Sequence, residues 1–259
     1  MIRVQKRKNA PDILIREKDN WTNELLTQIQ THGSFNKLPD KIKHEVTKRY
    51  RHEDIKKILI PKEDTKCAFC EVFPNEAGYI EVEHYLPKTT YPKQTYEWVN
   101  LLPSCKRCNL KKLSLDTGKK PIVKPDEHDP EDYFAYDNIK IIPNSNSPDK
   151  TISKRTIQTL ELNYFRLTKP RSELLVSLVN YETELESVIE EYDRAKRKNK
   201  KNRLINNMLN SLDEIENLMN PNSKLSGFCK YFIQNSTVMN LAQAKIKAYL
   251  KDDTQQALK

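Results

Sequence analysis

Residues 66–112 have the sequence KCAFCEVFPNEAGYIEVEHYLPKTTYPKQTYEWVNLLPSCKRCNLKK. Two Cys-x-x-Cys pairs stand at its ends, Cys67/Cys70 and Cys105/Cys108, with positions 71–104 between them. Each pair places two thiolates on one tight turn, and two such turns complete a closed tetrahedral site. The intervening segment is longer than the roughly 15–20 residues of a plain zinc ribbon. We therefore expect a structural Zn²⁺ ion that closes a loop with a second role, and disulfides or free thiols are the alternatives.

Composition and charge favour a cytoplasmic protein with polyanionic partners. The 259 residues are 37% hydrophobic and 31% charged, and no window approaches the roughly 18 apolar residues of a membrane span. The opening residues lack the apolar run of a secretory signal, so we expect no membrane association. The formal net charge of +9 suits nucleic acid, although an ordinary basic surface gives the same number.

Helical periodicity dominates the N-terminal part of the chain after a basic, extended opening. It predicts one helix around Trp21–Ile29 that ends near Gly33, and a second that begins after Pro39 and passes Tyr50. The apolar positions of Ile55–Leu59 continue the second helix in this interpretation.

The central stretch predicts strand, loop, strand and helix. Alternation over Tyr79–His84 indicates a strand after a turn at Gly78, and Trp98–Leu102 indicates a second strand that ends at Pro103. Ser104 is then the expected cap of a short helix that begins at the second cysteine pair.

Loops and then helices fill the remainder of the chain. Between residues 113 and 150 we expect loops around one strand, Asn138–Ile142, with His128 in a polar, capped segment. From residue 151 the apolar stripes predict helices: one until Pro170, then a hairpin with a basic turn that closes at Asn220, and a last helix over Val238–Leu250. The fold class that follows is α+β, mostly α.

Glu83, His84 and Asn109 are the candidate catalytic residues. Phosphodiester hydrolysis needs an activated water and charge neutralisation at the phosphate. A neutral histidine such as His84 is a suitable general base, and Glu83 and the amide oxygen of Asn109 suit a hard divalent cation, Mg²⁺ or Mn²⁺. Adjacent residues of a strand point to opposite faces, so this reading needs the strand to end near His84.

Asn100 and three lysines complete the candidate site. Asn100 either orients the imidazole by a hydrogen bond or stabilises the loop between the strands. Lys88, Lys111 and Lys112 are the candidates to neutralise phosphates.

These motifs together resemble the HNH endonuclease family with its ββα-metal finger. The resemblance lies in Glu-His-x-x-Pro-Lys from Glu83 and in Trp-Val-Asn-Leu-Leu-Pro-x-Cys-x2-Cys-Asn-x-x-Lys from Trp98. It implies that His84 is the general base and stands at the first of the three positions for which the HNH family is named. Asn100 then stands at the second position and Asn109 at the third. Family members more often have Asp or His at the position of Glu83 and His at that of Asn109. The implied organisation is an N-terminal segment 1–60, a nuclease core 61–145 and a helical region 146–259.

A weaker resemblance extends over more of the chain, to the HNH subunit of Septu-type and retron-associated antiphage defence systems. It implies an ABC-type ATPase partner of the PtuA type, which keeps the nuclease in check until phage infection. The segments that carry it are Val4-Gln5-Lys6, Tyr50-Arg51-His52, Ile55-Lys56, His128-Asp129-Pro130-Glu131, Thr156-Ile157, Leu162-Asn163 and Arg171.

Three functions follow as hypotheses. The first is a metal-dependent HNH endonuclease that acts on DNA. The second is a non-catalytic, zinc-stabilised module that binds nucleic acid or protein, which accounts for the cysteines and the charge but not for Glu83, His84 and Asn100. The third keeps the chemistry and takes RNA such as tRNA, because a water nucleophile does not require a 2′-hydroxyl group.

Overall fold

The computed structural model describes residues 1, 3–5, 9–61, 65–74 and 78–257, with side chains through residue 252. Residues 6–8 of the predicted basic opening lie outside this description. The chain divides into two compact units. The first comprises Met1–Ala135 and Ile141–Leu167, and the second comprises Tyr136–Lys140 and the chain from Thr168 onward.

Three helices open the first unit. Helix α1 (Asp12–His32) begins earlier than predicted and ends, as predicted, at Gly33, whose φ of 84° suits a residue without Cβ. Helix α2 (Asp40–Tyr50) begins directly after Pro39, as predicted. The predicted continuation is wrong, because a separate helix α3 (Glu53–Leu59) begins where the side chain of His52 accepts a hydrogen bond from the N–H of Asp54.

The core of the first unit joins these helices to the central stretch. Its buried members come from the helices, from strand β1 and from the segment that leads into β2. Burial of this apolar surface fixes β1 against the helices. The buried residues are Leu14, Leu25, Phe35, Leu38, Val46, Tyr50, Ile55, Leu59, Val82, Tyr96, Trp98 and Leu101.

Strands β1 (Ile80–His84) and β2 (Leu101–Cys105) form an antiparallel pair, and helix α4 (Lys106–Lys112) follows directly. The predicted first strand is confirmed. The second is wrong in its bounds, because Trp98–Asn100 is a 3₁₀ turn and the strand continues through Pro103. Pro103 is tolerated because it pairs with Val82 at a position that makes no ladder hydrogen bond, so its missing N–H faces away from β1.

The helix cap predicted at Ser104 is also wrong. Ser104 is a buried residue of β2, and Cys105 caps α4 by accepting a hydrogen bond from the N–H of Cys108 at 3.4 Å. Cys105 therefore precedes the first turn of α4 as its cap, and Cys108 lies within that turn.

A short helix α5 (Pro130–Tyr133) leads into a second two-stranded sheet of β3 (Phe134–Asp137) and β4 (Lys140–Pro143). The single strand predicted over Asn138–Ile142 is wrong, because Asn138 has a φ of 50° and lies in the turn between the two strands. The polar, capped segment at His128 is confirmed. His128 Nδ1 accepts from the N–H of Lys124, and Asp129 caps α5.

Helix α6 (Lys150–Thr159) ends before the predicted stop at Pro170. The chain turns after it, where Glu161 has a φ of 46°, and helix α7 (Phe165–Arg194) begins beyond that turn. Pro170 lies in the second turn of α7, where it withholds one N–H without ending the helix.

The second unit is helical, as predicted. Helix α8 (Lys198–Leu218) follows α7 after a short turn, and Lys200 Nζ pairs with Glu191 across it at 2.7 Å. Helix α9 (Ser226–Asn235), which was not predicted, buries Cys229 as expected for a small hydrophobic residue. The last helix, α10 (Thr237–Ala257), is longer than its prediction.

Over the residues described, the chain is thus mostly helical, with two small sheets and a cluster of four cysteines, which agrees with the α+β class. In the part of the chain that the structure describes, no helix combines the length and the apolar character that a membrane crossing requires.

Replacement of a core residue in α3 tests this packing. Ile55 has no exposed surface, so Ile55→Ala should lower the free energy of unfolding by about 2–5 kcal/mol. Ile15→Ala on α1 is the matched control, because Ile15 is 68% exposed and its truncation should cost less than about 0.5 kcal/mol. Urea denaturation measures both, and equal effects would contradict the burial of α3.

Candidate functional site

The four cysteines of the central stretch form one buried cluster. Their sulfur atoms all lie within 4.8 Å of one another, and Cys70 Sγ is 3.8 Å from Cys105 Sγ. A tetrahedral zinc ion with bonds of about 2.3 Å separates its sulfur ligands by roughly 3.8 Å. None of the five cysteines, all of which are described, forms a disulfide. The cluster could therefore bind a metal ion such as zinc.

The ionisation of these thiols also favours a cation. Burial opposes ionisation of Cys67, but hydrogen bonds with Cys105, Cys108 and Cys70 outweigh it and hold the Cys67 pKa well below its ordinary value. Burial raises the pKa of Cys70 well above its ordinary value, and hydrogen bonds with Cys105 and Cys67 do the same for Cys108. Without a metal the surroundings thus favour the thiolate form of Cys67 and the neutral forms of Cys70 and Cys108. A dication would supply the charge that further thiolates need.

The first cysteine pair is held directly against β2. The N–H of Ala68 donates to the carbonyl of Pro103 at 2.8 Å, and the N–H of Cys67 donates to Val72 at 3.2 Å. The cluster therefore fixes the position of β2, and through it the start of α4.

Four polar side chains face one another between β1 and α4. Glu81 and Glu83 are two residues apart and share one face of the strand, while Asn109 and Lys112 are three apart and share one face of the helix. Asn109 Nδ2 donates to Glu81 Oε2 at 2.9 Å, and Lys112 Nζ donates to Glu83 Oε1 at 2.8 Å. Glu83 and Asn109 thus belong to two neighbouring bonded pairs, which together are called the polar cluster.

Lys112 is the buried centre of that cluster. The residue is only 2% exposed, and its ammonium group also donates to the carbonyl of His84 at 2.7 Å. Burial raises the pKa of Glu83, against the opposing influence of Lys112. These partners enclose the ammonium group of Lys112, so it does not face solvent. The predicted contact between Lys112 and a phosphate is therefore not supported.

The other two lysines lie in different surroundings. Lys111 lies on the opposite side of α4 and pairs with Glu161 at 2.7 Å. Lys88 Nζ lies 5.5 Å from the centre of the Tyr50 ring, and its charge lowers the pKa values of both Glu83 and His84. Lys88, like Lys112, therefore acts through its charge on both candidate residues.

His84 ends β1 in a defined orientation. Its Nε2 lies 2.9 Å from the carbonyl oxygen of Thr95, and its ring packs edge-to-face on Tyr50 with centres 4.6 Å apart. A carbonyl oxygen can only accept, so Nε2 carries the proton and Nδ1 is the unprotonated nitrogen. Burial, with the charges of Lys88 and Lys112, lowers the His84 pKa to about 3. The imidazole is therefore neutral at physiological pH.

Asn100 bonds the loop between the strands. Its Oδ1 accepts from the N–H of Leu86 at 2.7 Å, and its Nδ2 donates to the carbonyls of Leu86 and Gln94 at 3.1 and 2.9 Å. Of the two roles considered for Asn100, these bonds favour stabilisation of the loop. Gln94 directly precedes Thr95, so Asn100 orients His84 only through the loop backbone.

Several residues of this site were missed in the sequence. Alternation along β1 places Glu81 on the face of Glu83 and could have indicated it. Tyr50 and Arg51 entered only through the resemblance, and Thr95 had no signal, because the proximity of these residues to His84 depends on packing in the folded chain. Arg51 Nη2 lies 3.8 Å from Glu81 Oε1.

The chain resembles the Septu protein PtuB. It is 36% identical to the Septu protein PtuB of Bacillus thuringiensis over 180 residues, which cover 69% of this chain and 61% of the relative. It is 26% identical to the Septu protein PtuB of Bacillus mycoides (strain KBAB4) over 155 residues, which cover 48% of this chain and 52% of that relative. The chain thus spans little more than half the length of the PtuB proteins that it matches. No protein-family profile matches it.

Metal analysis of cysteine variants tests the cluster. We expect about one zinc ion per purified chain, and Cys67→Ser should lower this content because one of four ligands becomes a weaker donor. Cys229→Ala is the control, since Cys229 lies outside the cluster and should leave the zinc content unchanged. Mass spectrometry of the metal measures this, and equal zinc content in all three proteins would contradict the assignment.

The buried, neutral imidazole predicts a loss of stability in acid. The ordinary pKa of histidine is 6.5, whereas that of His84 in the folded chain is about 3. Between these two pH values His84 is protonated in the unfolded chain but not in the folded chain, so acidification favours unfolding. Without added divalent cations, wild-type protein should therefore lose more stability than His84→Gln between about pH 7 and 5. Urea unfolding at several pH values measures the difference, and parallel losses would show that His84 does not titrate abnormally.

Proposed function

We propose that this protein is a metal-dependent endonuclease of the HNH type, which hydrolyses phosphodiester bonds in DNA as the effector of an antiphage defence complex. The observation that carries the proposal is His84, which is held neutral at the end of β1 by the Thr95 carbonyl and lies beside the polar cluster of Glu81, Glu83, Asn109 and Lys112. A strand pair followed by a helix, with cysteine pairs at its two ends, supports the same assignment.

His84 is the general base in this mechanism. Its unprotonated Nδ1 accepts a proton from the attacking water, while the Nε2–H remains bonded to Thr95. The bond to Thr95 raises the affinity of the ring for a proton, so the same carbonyl stabilises the imidazolium that forms. Burial keeps the base unprotonated before the reaction, and the packing of the ring on Tyr50 keeps its orientation fixed.

The polar cluster supplies ligands for a catalytic cation. Glu83 and Asn109, with Glu81 beside them, offer the carboxylate and amide oxygens that Mg²⁺ and Mn²⁺ prefer. Glu83 can serve while one oxygen is paired with Lys112, because a carboxylate has lone pairs on both oxygens. An ion held by these residues would supply charge neutralisation at the phosphate and at the departing 3′ oxygen. Lys88 adds positive charge near His84, whereas Lys111 and Lys112 are bonded to Glu161 and Glu83.

The relatives support the biological part of the proposal. Both matched relatives have the name Septu protein PtuB, which supports a role in a Septu defence system. We infer that a PtuA-like ABC-type ATPase is the partner and that it restrains the nuclease until phage infection. The four-cysteine cluster is assigned to structural zinc in this proposal.

A cleavage assay with matched histidine variants tests the activity. The chain should be purified with its partner and incubated with DNA and, separately, with RNA in Mg²⁺ or Mn²⁺. His84→Ala should lower the cleavage rate by at least about a hundredfold, because the general base is lost. His44→Ala is the control, since His44 is exposed on α2, and it should cleave like wild type.

Zinc content and nucleic-acid binding should be the same in these variants, which separates catalysis from folding. Cleavage of RNA in preference to DNA would change the substrate and keep the mechanism. If wild-type protein with its partner cuts neither substrate, or if His84→Ala cuts as well as wild type, the chain is better described as a non-catalytic binding module.

A further inference from the structure

A groove of about 510 Å³ begins beside the polar cluster. Residues at the start of α3 and of β1 line it, including Arg51, Lys56, Lys57 and Tyr79. Glu81, which accepts the hydrogen bond from Asn109, also lines it. The groove therefore reaches Glu81, which lies beside the proposed cation ligands.

Arg51 has capacity for a ligand. Its Nε atom is buried and has no hydrogen-bond partner among the residues that the structure describes. Its only ion pair within the described chain is the long contact of 3.8 Å with Glu81. The buried Nε lies out of reach of a ligand, but the side chain as a whole is 40% exposed, and a planar guanidinium group matches the two oxygens of a phosphate. Arg51 is thus suited to a bidentate anionic partner.

Tyr79 presents an aromatic ring to solvent in the same groove. The residue is 84% exposed, and its backbone is fixed because its carbonyl accepts the N–H of Lys106 at 3.0 Å. A rigidly placed, exposed ring is suited to stacking on a nucleobase, which is sequence-tolerant because every base has an aromatic face.

The charge of the groove favours a polyanion once the cation is bound. Arg51, Lys56 and Lys57 are opposed by Glu53 and Glu81, and Lys56 pairs with Glu53 at 3.2 Å. A cation bound by Glu83 and Asn109 would lie beside Glu81, offset its negative charge and leave the groove more positive.

We propose that this groove binds one strand of the nucleic-acid substrate, with a phosphate on Arg51 and a base stacked on Tyr79. The identity of the ligand rests on the proposed endonuclease function. An acidic peptide could also pair with Arg51, but it would make no use of the exposed ring of Tyr79, so the nucleic-acid strand accounts for more of the groove.

Binding of a short fluorescein-labelled single-stranded DNA tests the proposal. Fluorescence anisotropy is measured over a series of salt concentrations in a His84→Ala background, and again in wild type without added divalent cation, so that cleavage does not interfere. The groove variants are Arg51→Ala, Arg51→Lys and Tyr79→Ala. The controls are Lys196→Ala and Phe165→Ala, which remove an exposed cation and an exposed aromatic ring outside the groove.

Each groove variant has its own expected signature. Arg51→Ala should weaken binding about tenfold and lower the slope of log K against log salt by about 0.7, because one phosphate contact is lost. Arg51→Lys should keep the slope, because the positive charge remains. It should lose part of the affinity, because an ammonium group cannot donate to two phosphate oxygens in the way that a planar guanidinium group does. Tyr79→Ala should weaken binding about tenfold without a change in slope. Its exposed ring can be removed without harm to folding, so this variant is informative even if Arg51→Ala is unstable.

The outcomes separate this inference from the proposed function. If the groove variants bind DNA as the controls do, the groove proposal is wrong, even where wild type cleaves. If they bind weakly as expected but wild type never cleaves, the groove stands as a nucleic-acid site and the endonuclease proposal fails. Loss of the ATPase partner by the Arg51 variants with unchanged DNA binding would assign the groove to a peptide and overturn the proposal.

Discussion

One buried ammonium group ties the helix α4 to the strand β1. Lys112 Nζ donates both to the carboxylate of Glu83 and to the backbone carbonyl of His84. Taking a charged pair out of water is costly, and removal of one partner would leave the other buried without compensation. The pair therefore constrains the distance between helix and strand, and with it the positions of Glu83, His84 and Asn109.

The loop between β1 and β2 is the second constraint on His84. Its two ends are joined to the paired strands, and Asn100 bonds its backbone at Leu86 and Gln94. The carbonyl of Thr95 is thereby placed to accept from the imidazole. The orientation of one ring thus depends on a loop that a buried amide stabilises, which explains why an asparagine is buried at position 100.

The parts of the structure that sequence could predict have local signals. The Cys-x-x-Cys spacing indicated the cluster, and alternation indicated β1, with Val82 in the core. The bonds of Lys112 could not be predicted, because they join segments far apart in the chain. The apolar run Trp98–Leu102 gave no sign that its first three residues form a 3₁₀ turn. A lysine after a cysteine pair suggests a solvent-exposed charge, and only the packing of α4 on β1 buries it.

Pro103 has a consequence for the assembly of the sheet. An unpaired strand edge offers N–H and C=O groups to other chains, and proteins often block such edges with proline. At Pro103 the outward N–H is missing, and the outward carbonyl is already bonded to Ala68 of the first cysteine pair. Pro103 and the turn of the first cysteine pair, Cys67–Cys70, together leave no free backbone group on this side of β2 at Pro103 to which a further strand could bond. At this position the sheet is thereby protected from edge-to-edge pairing on its β2 side.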